Sequence, residues 1–342
     1  MIDLRSDTLT VPTPGMLAAM QAAAVGDDVY GEDPTINRLE RKVADLLATE
    51  AALFVPSGTM SNQIAIRLHC RPGEEVICES TSHILLWEAG GPAALSGVTT
   101  RMIDGQNGLL TPALLEGKIR PKDMHSPQTR LVSLENTHNR GGGTCYRLED
   151  VQAISEWANA NGLAMHLDGA RLWNAVVATG VPAQEWAREF DTISVCFSKG
   201  LGAPVGSALA GSKELIDRGR WVRKLFGGAM RQAGYLAAAC IYALDHHVER
   251  LAEDHANARL LAEAAKQVPG LRLTTPGVDT NLVWLEVDPT WKTAPNVVAE
   301  LKAKGVLVSA LGRTVIRACT HLNVTRSDCE RAAVAIRDLA KS

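Results

Sequence analysis

Short apolar runs alternate with amphipathic stretches along the first two thirds of the chain. AALFV (51–55), EEVIC (74–78), TRLVSLE (129–135), LAMHLD (163–168) and TISVCF (192–197) have the length and bounded character of buried strands. Helical patterns lie between them, as in SNQIAIRLH (61–69) and LEDVQAISEWANANG (148–162). Strands alternating with helices predict an α/β domain over 16–240 with a mainly parallel sheet. From Gly234 the texture changes. A helical pattern over 235–268 predicts one long helix linking two domains. NLVWLEV (281–287), GVLVSA (305–310) and TVIRACT (314–320) predict strands. With helical patterns over 295–304 and 326–340 they make a smaller C-terminal α/β unit over 241–342. The arm 1–15, with Pro12 and Pro14, reads as extended and packs on that unit or on a partner subunit.

Composition removes several function classes. With 46% hydrophobic and 21% charged residues the chain is that of a globular protein. Its 35 basic and 38 acidic residues leave a net charge of -3, which offers no positive excess for nucleic acid. No apolar stretch is long enough to span a membrane, and MIDLRSDTLT lacks the basic-then-apolar pattern of a signal peptide. Seven scattered cysteines without C-x-x-C spacing indicate reduced thiols and a cytoplasmic setting.

The chemistry concentrates at predicted strand exits, where α/β sheets bind ligands. Asp168 follows LAMHL and precedes Gly-Ala-Arg; Lys199 follows ISVCFS and precedes Gly-Leu-Gly. Alone, such a lysine is most often a solvated loop charge, and an aspartate before glycine a turn residue. Together, a lysine able to form a Schiff base and a carboxylate able to hold a pyridinium nitrogen protonated are what pyridoxal phosphate requires. Ser57-Gly58-Thr59 closes one strand and opens a helix. Backbone N–H groups and hydroxyls there make an anion site, although Ser and Thr are also ordinary N-caps.

Longer stretches carry a more specific signal: LRSDTLT (4–10), VGDDVYGEDPT (25–35), PSGTMSN (56–62), HILLWEAGG (83–91), SLENTHN (133–139), HLDGARLWNA (166–175), SKGLGAPVGS (198–207), GGAMRQAG (227–234) and IRACTHLNVTR (316–326). Across nearly the whole chain these resemble low-specificity L-threonine aldolases, pyridoxal-phosphate enzymes of the aspartate-aminotransferase-like fold type I. Two stretches depart from the pattern: CTHLN (319–323) where VTHLD is usual, and the variable loop NRGGG (139–143). The resemblance implies a large domain with a mainly parallel seven-stranded sheet. It implies retro-aldol cleavage of L-threonine or L-allo-threonine to glycine and acetaldehyde. A β-eliminating lyase or aminotransferase of the same fold is the alternative. The implied assembly is a homodimer pairing into a homotetramer.

Residue by residue, the resemblance implies that Lys199 carries the cofactor, Asp168 pairs with its ring nitrogen, and Arg171 lies near its phenolate oxygen and the substrate carboxylate. Gly58 and Thr59 hold the phosphate with Ser57 beside them, and His83 stacks over the ring. Ser6 and Arg317 bind the substrate carboxylate. Lys224 reaches the phosphate in a neighbouring subunit. His83 and His125 lie near the substrate's β-substituent, and both remain contenders for the base that takes the β-hydroxyl proton. Trp87 either walls that pocket or packs in the core.

Among the other histidines, His246, His247 and His255 are expected on the surface of the long helix, and His69 and His321 in packing or capping roles. His166 alternates with Asp168 on one strand face and reads as buried and structural. His138 could approach the site. No His/Cys/Asp cluster has catalytic-metal spacing. Thr8 and Thr10 with nearby carbonyls offer only a faint signal for a structural cation.

Overall fold

The structure is a computed structural model that describes residues 1–341. A two-residue strand β1 (Ile2–Asp3) starts the chain. Seven strands then form the central sheet: β2 (Ala51–Val55), β3 (Glu75–Glu79), β4 (Thr99–Ile103), β5 (Thr129–Glu135), β6 (Ala164–Gly169), β7 (Thr192–Cys196) and β8 (Ser207–Gly211). Their order is β2-β8-β7-β6-β5-β3-β4. Only β8 runs against its neighbours. Helices cover both faces, so β3, β7 and β8 are buried at every position. The expected seven-stranded, mainly parallel sheet of fold type I is therefore present.

Two of these strands lack the apolar signature that predicts the others. β4 is an edge strand, TTRMI, mostly solvent-facing. β8 is SALAG, whose small side chains pack centrally without a β-branched run.

The C-terminal sheet has the order β12-β13-β10-β9, built from β9 (Leu271–Leu273), β10 (Leu282–Val287), β12 (Ser309–Ala310) and β13 (Val315–Cys319). The run 305–310, expected as one strand, is divided. Its first part, β11 (Val306–Leu307), pairs in parallel with β1, and Ser309–Ala310 joins β13. The arm supplies the pairing partner that draws β11 away, and Leu4 is fully buried in the core of this smaller unit.

The expected single helix over 235–268 is instead two, Gly234–His246 and Leu251–Ala265. The first packs on the helices Pro14–Gln21 and Pro34–Leu47, the second on the C-terminal helix Arg326–Arg337 and β10. A straight rod cannot follow both surfaces. At the break, His247 is buried with Nδ1 on the Leu201 carbonyl at 2.6 Å; within the second helix, His255 is buried beside Asn174. The surface expected for these two histidines is thus corrected; His246 is exposed. His166 is fully buried, between Asn62 and Thr192.

Candidate active site

The site forms where β5, β6 and β7 end. Parallel pairing sets Glu135 beside Asp168, and Asp168 beside Ser194. Asp168 is buried; its Oδ1 accepts the Ala170 N–H at 3.1 Å and its Oδ2 accepts Nδ2–H of Asn62 at 2.9 Å. Asn62 is held in turn by His166, whose Nε2 lies 3.1 Å from its Oδ1. The next residue, Gly169, leaves no room for a side chain, since a Cβ would stand 2.4 Å from the Ser194 carbonyl. The strand exit is thus a close-packed shelf with one fixed carboxylate.

Glu88 joins this shelf to His83. Its Oε1 receives the second Nδ2–H of Asn62 and lies 2.9 Å from Nδ1 of His83, while Oε2 accepts from Gln63. Donor atoms of His83, Glu88 and Asp168 lie within 4.8 Å of one another. The Asn62 amide bridges the two carboxylates, so the cluster is a hydrogen-bonded junction rather than an open ligand set. Burial opposes charge on His83, but the Glu88 carboxylate, with Asp168 behind it, outweighs this and holds its pKa above the ordinary value. Because Nδ1–H points at Glu88, Nε2 is the free acceptor of the ring.

A second group is cationic. Arg171 is buried and forms a bidentate pair with Asp7, Nε–Oδ2 at 2.7 Å and Nη2–Oδ1 at 2.8 Å. Arg317 donates from Nη1 to Asn139 Oδ1 at 3.2 Å and from Nη2 to the Arg5 carbonyl at 3.1 Å. Its buried Nε has no partner among the described residues. Burial and the nearby Arg171 push the Arg317 pKa below its ordinary value. Such a guanidinium, with one orphan N–H, is poised for an anion.

Lys199 lies on the turn after β7, half-buried, and its carbonyl accepts the Thr10 hydroxyl at 2.9 Å. Thr10 also donates to the Asp7 carbonyl, and Thr8 pairs with Ser6. Thr10 thus ties the arm to the lysine turn, while the Ser6–Thr8 pair stays within the arm. Ser57 caps the helix Gly58–His69, its Oγ accepting from Met60 N at 3.2 Å. The first-turn N–H groups of Gly58 and Thr59 then lie beyond the reach of the helix's own carbonyls. A Cβ at Gly58 would sit 2.8 Å from Cys196 Sγ, so the close approach of helix to sheet requires glycine.

The sequence profile of the beta-eliminating lyase family matches residues 3–288. A probable low-specificity L-threonine aldolase 2 from Arabidopsis thaliana is 44% identical over 96% of this chain and 94% of its own length. A low specificity L-threonine aldolase from Escherichia coli K12 is 44% identical over 97% of each chain. The chain belongs to the low-specificity L-threonine aldolase family. The fold agrees: a Leishmania major threonine aldolase structure superposes with a TM-score of 0.87 at 24% identity, over 99% of this chain and 100% of that one.

In this threonine aldolase-family chain Asn62, Glu88, Glu135 and Asn139 link Asp168, His83 and Arg317, and Asp7 and Thr10 link Arg171 to the Lys199 carbonyl. The two sets feel each other's charge, Lys199 acting on His83 and Arg171 on Arg317. Trp87 is half exposed at the end of the helix His83–Leu86, which removes the core-packing alternative. His125 is exposed, and its backbone N–H donates to Oδ1 of the nearby Asp123 at 2.8 Å. Lys224 is exposed in the last turn of the helix Lys213–Leu225. It lines a cavity of about 580 Å³ with Tyr30 and Trp221. His138 is fully buried, with Nδ1 accepting from Gly141 N and Nε2 3.2 Å from Glu79. Sequence reasoning missed Asp7, Asn62, Glu88 and Glu135. Asp7 and Asn62 lie inside the matching stretches 4–10 and 56–62, Glu88 lies in 83–91, and none of these three stands at a strand exit; Glu135 does, closing the predicted strand 129–135 within the matching stretch 133–139, and its position was the signal available.

Proposed function

We propose that this protein is a pyridoxal-phosphate aldolase that cleaves L-threonine or L-allo-threonine to glycine and acetaldehyde, reversibly and with tolerance for other aldehydes. The donor set fits this cofactor. Asp168 retains lone pairs for a protonated ring nitrogen beyond its bonds to Asn62 and Ala170. Ser57, Gly58 and Thr59 suit its phosphate, and Lys199 is the amine to hold its aldehyde. Bound there, the pyridinium ring would supply the electron sink for breaking a bond at Cα.

The chain's own residues do the rest. Arg317, with Ser6 nearby on the arm, would hold the substrate carboxylate, and that grip selects which Cα bond stands perpendicular to the ring. Arg171, neutralised by Asp7, would hold the cofactor's phenolate side. His83 would take the β-hydroxyl proton at Nε2 as Cα–Cβ breaks and the aldehyde leaves, with Trp87 walling the β-substituent. The observation that carries this reading is the His83–Glu88 pair, which fixes the tautomer and leaves Nε2 as a base.

The assembly this reading calls for is a dimer, pairing into a tetramer, with Lys224 reaching the partner's cofactor phosphate. Trp221 at 84% exposure, Tyr30 at 74% and Leu225 at 71% give that face an apolar surface suited to a second copy. A cytoplasmic location is consistent with seven free cysteines, and among the described residues no helix is long and apolar enough to cross a membrane.

The deciding experiment feeds threonine, allo-threonine, serine and phenylserine to the purified holoenzyme and scores aldehyde, glycine, keto acid and ammonia. Aldehyde with stoichiometric glycine is the expected result. Keto acid with ammonia would assign a β-eliminating activity instead.

A further inference from the structure

Glu135 is the last residue of β5 and is almost fully buried. Its two carboxylate oxygens go to two different loops. Oε2 accepts the backbone N–H of His83 at 2.7 Å, and Oε1 accepts the backbone N–H of Asn139 at 2.8 Å. Each contact is a charge-assisted hydrogen bond in a dry setting. Both loops carry site residues. The first N–H opens the short helix His83–Leu86, whose N-cap Ser82 makes no side-chain capping bond, so Glu135 does the capping. The second fixes Asn139, whose side-chain oxygen receives Nη1 of Arg317.

This carboxylate also faces His138. His138 Nδ1 accepts the Gly141 N–H, so its proton is on Nε2, and that atom lies 3.2 Å from Glu79 and 3.8 Å from Glu135. Burial opposes charge on His138, and the charges of Glu135 and Glu79 outweigh it. The hydrogen bonds of Glu135 nonetheless go to the two backbone N–H groups.

We infer that Glu135 is a positioning residue that sets the His83 loop and, through Asn139, the Arg317 guanidinium in one geometry, and so tunes affinity for the amino-acid carboxylate. This rests on the aldolase reading above, in which Arg317 grips that carboxylate. Glutamine at 135 keeps the shape but presents an NH₂ to one of two N–H donors, so one arm must open.

The test is the dissociation constant of glycine for the holoenzyme, read from the visible absorbance of the bound cofactor. Glycine has no β-substituent, so this reading isolates the carboxylate grip. Glu135→Gln is expected to weaken glycine about tenfold, the value of one charge-assisted hydrogen bond, with cofactor content unchanged. Asn139→Ala should weaken it comparably, and the double variant should be no more than about twofold worse than the weaker single, because both act on Arg317. Wild-type glycine affinity in Glu135→Gln, or single effects that multiply, would overturn the inference. If Glu135→Gln does not fold, Glu135→Asp keeps the charge but cannot span both N–H groups. The same weakening is expected of it, and wild-type affinity would again overturn the inference. Arg317→Ala separates the two levels. Unchanged glycine binding there defeats the carboxylate reading itself. Weakened binding there, with Glu135→Gln unaffected, defeats only the role of Glu135.

Discussion

Asp7 and Arg171, 164 positions apart, form a buried bidentate ion pair that fastens the N-terminal arm to the turn after β6. Asn281 of the smaller unit adds a third bond to Asp7 at 3.1 Å. Three segments therefore meet on one carboxylate. Burial raises the cost of charge on Asp7, but Arg171 overcompensates and holds its carboxyl well below the usual range.

The first prediction follows from that pair. A depressed carboxyl contributes stability that is fully present above its unfolded pKa, about 4, and is lost as pH falls toward the folded value. Asp7→Asn leaves Arg171 charged and buried without a counter-ion, at an expected cost of about 3–5 kcal/mol. Urea unfolding at neutral pH should read this loss, and the gap between variant and wild type should close in acid. A loss below about 1 kcal/mol would mean that Arg171 finds solvent or another partner.

Glu88 offers a second test, in the pH profile. His83 is a base only when unprotonated, and its pKa is held up by Glu88. The acidic limb of kcat/KM should therefore lie above the ordinary imidazole value. Glu88→Gln removes the stabilising carboxylate and leaves burial, which favours the neutral ring, so the limb should move to lower pH. A limb that stays in place would assign the base to another group, His125 being the next to examine.

Gly58→Ala tests the fit of helix to sheet. The new methyl would approach Cys196 Sγ to 2.8 Å, an overpacking worth about 1–3 kcal/mol. The helix start must shift, and cofactor retention, measured by absorbance after gel filtration, should fall. The double variant Gly58→Ala with Cys196→Ala should recover most of it. Full retention in the single variant would show that the anion site tolerates the shift.

Lys224 tests the shared site. Lys199→Ala and Lys224→Ala are each expected to be inactive or nearly so. Refolding them together at equal amounts should restore activity, up to about a quarter of wild type, since one of two sites in a mixed dimer is intact. No recovery, with heterodimers demonstrated, would place Lys224 at its own chain's site or at none.

Much of this architecture is local in origin. The runs of β2, β3, β5, β6 and β7 announce themselves because a strand covered on both faces is largely apolar. Asp168 and Lys199 stand out because each breaks such a run at its end. β8 escapes notice because SALAG is small rather than apolar-branched, and β4 because an edge strand tolerates threonine and arginine. The helix over 235–268 breaks because its two halves serve different cores, a demand that periodicity does not encode.

The alternation of strands and helices, the residues at the strand exits and, through the motif stretches, the family are all legible in the chain. What holds those residues in place emerges from folding. Glu88 is indistinguishable from a surface acid along the chain, and Glu135, although it closes a predicted strand, gives no sign there of what it will hold. They acquire roles because parallel pairing of β5 with β6 and the turn at His83 bring backbone donors and an imidazole to them. Asp7 finds Arg171 because β1 pairs with β11 and swings the arm across the mouth of the sheet. Such partners depend on distances closed by folding, and a linear chain carries no record of which buried charge will meet which.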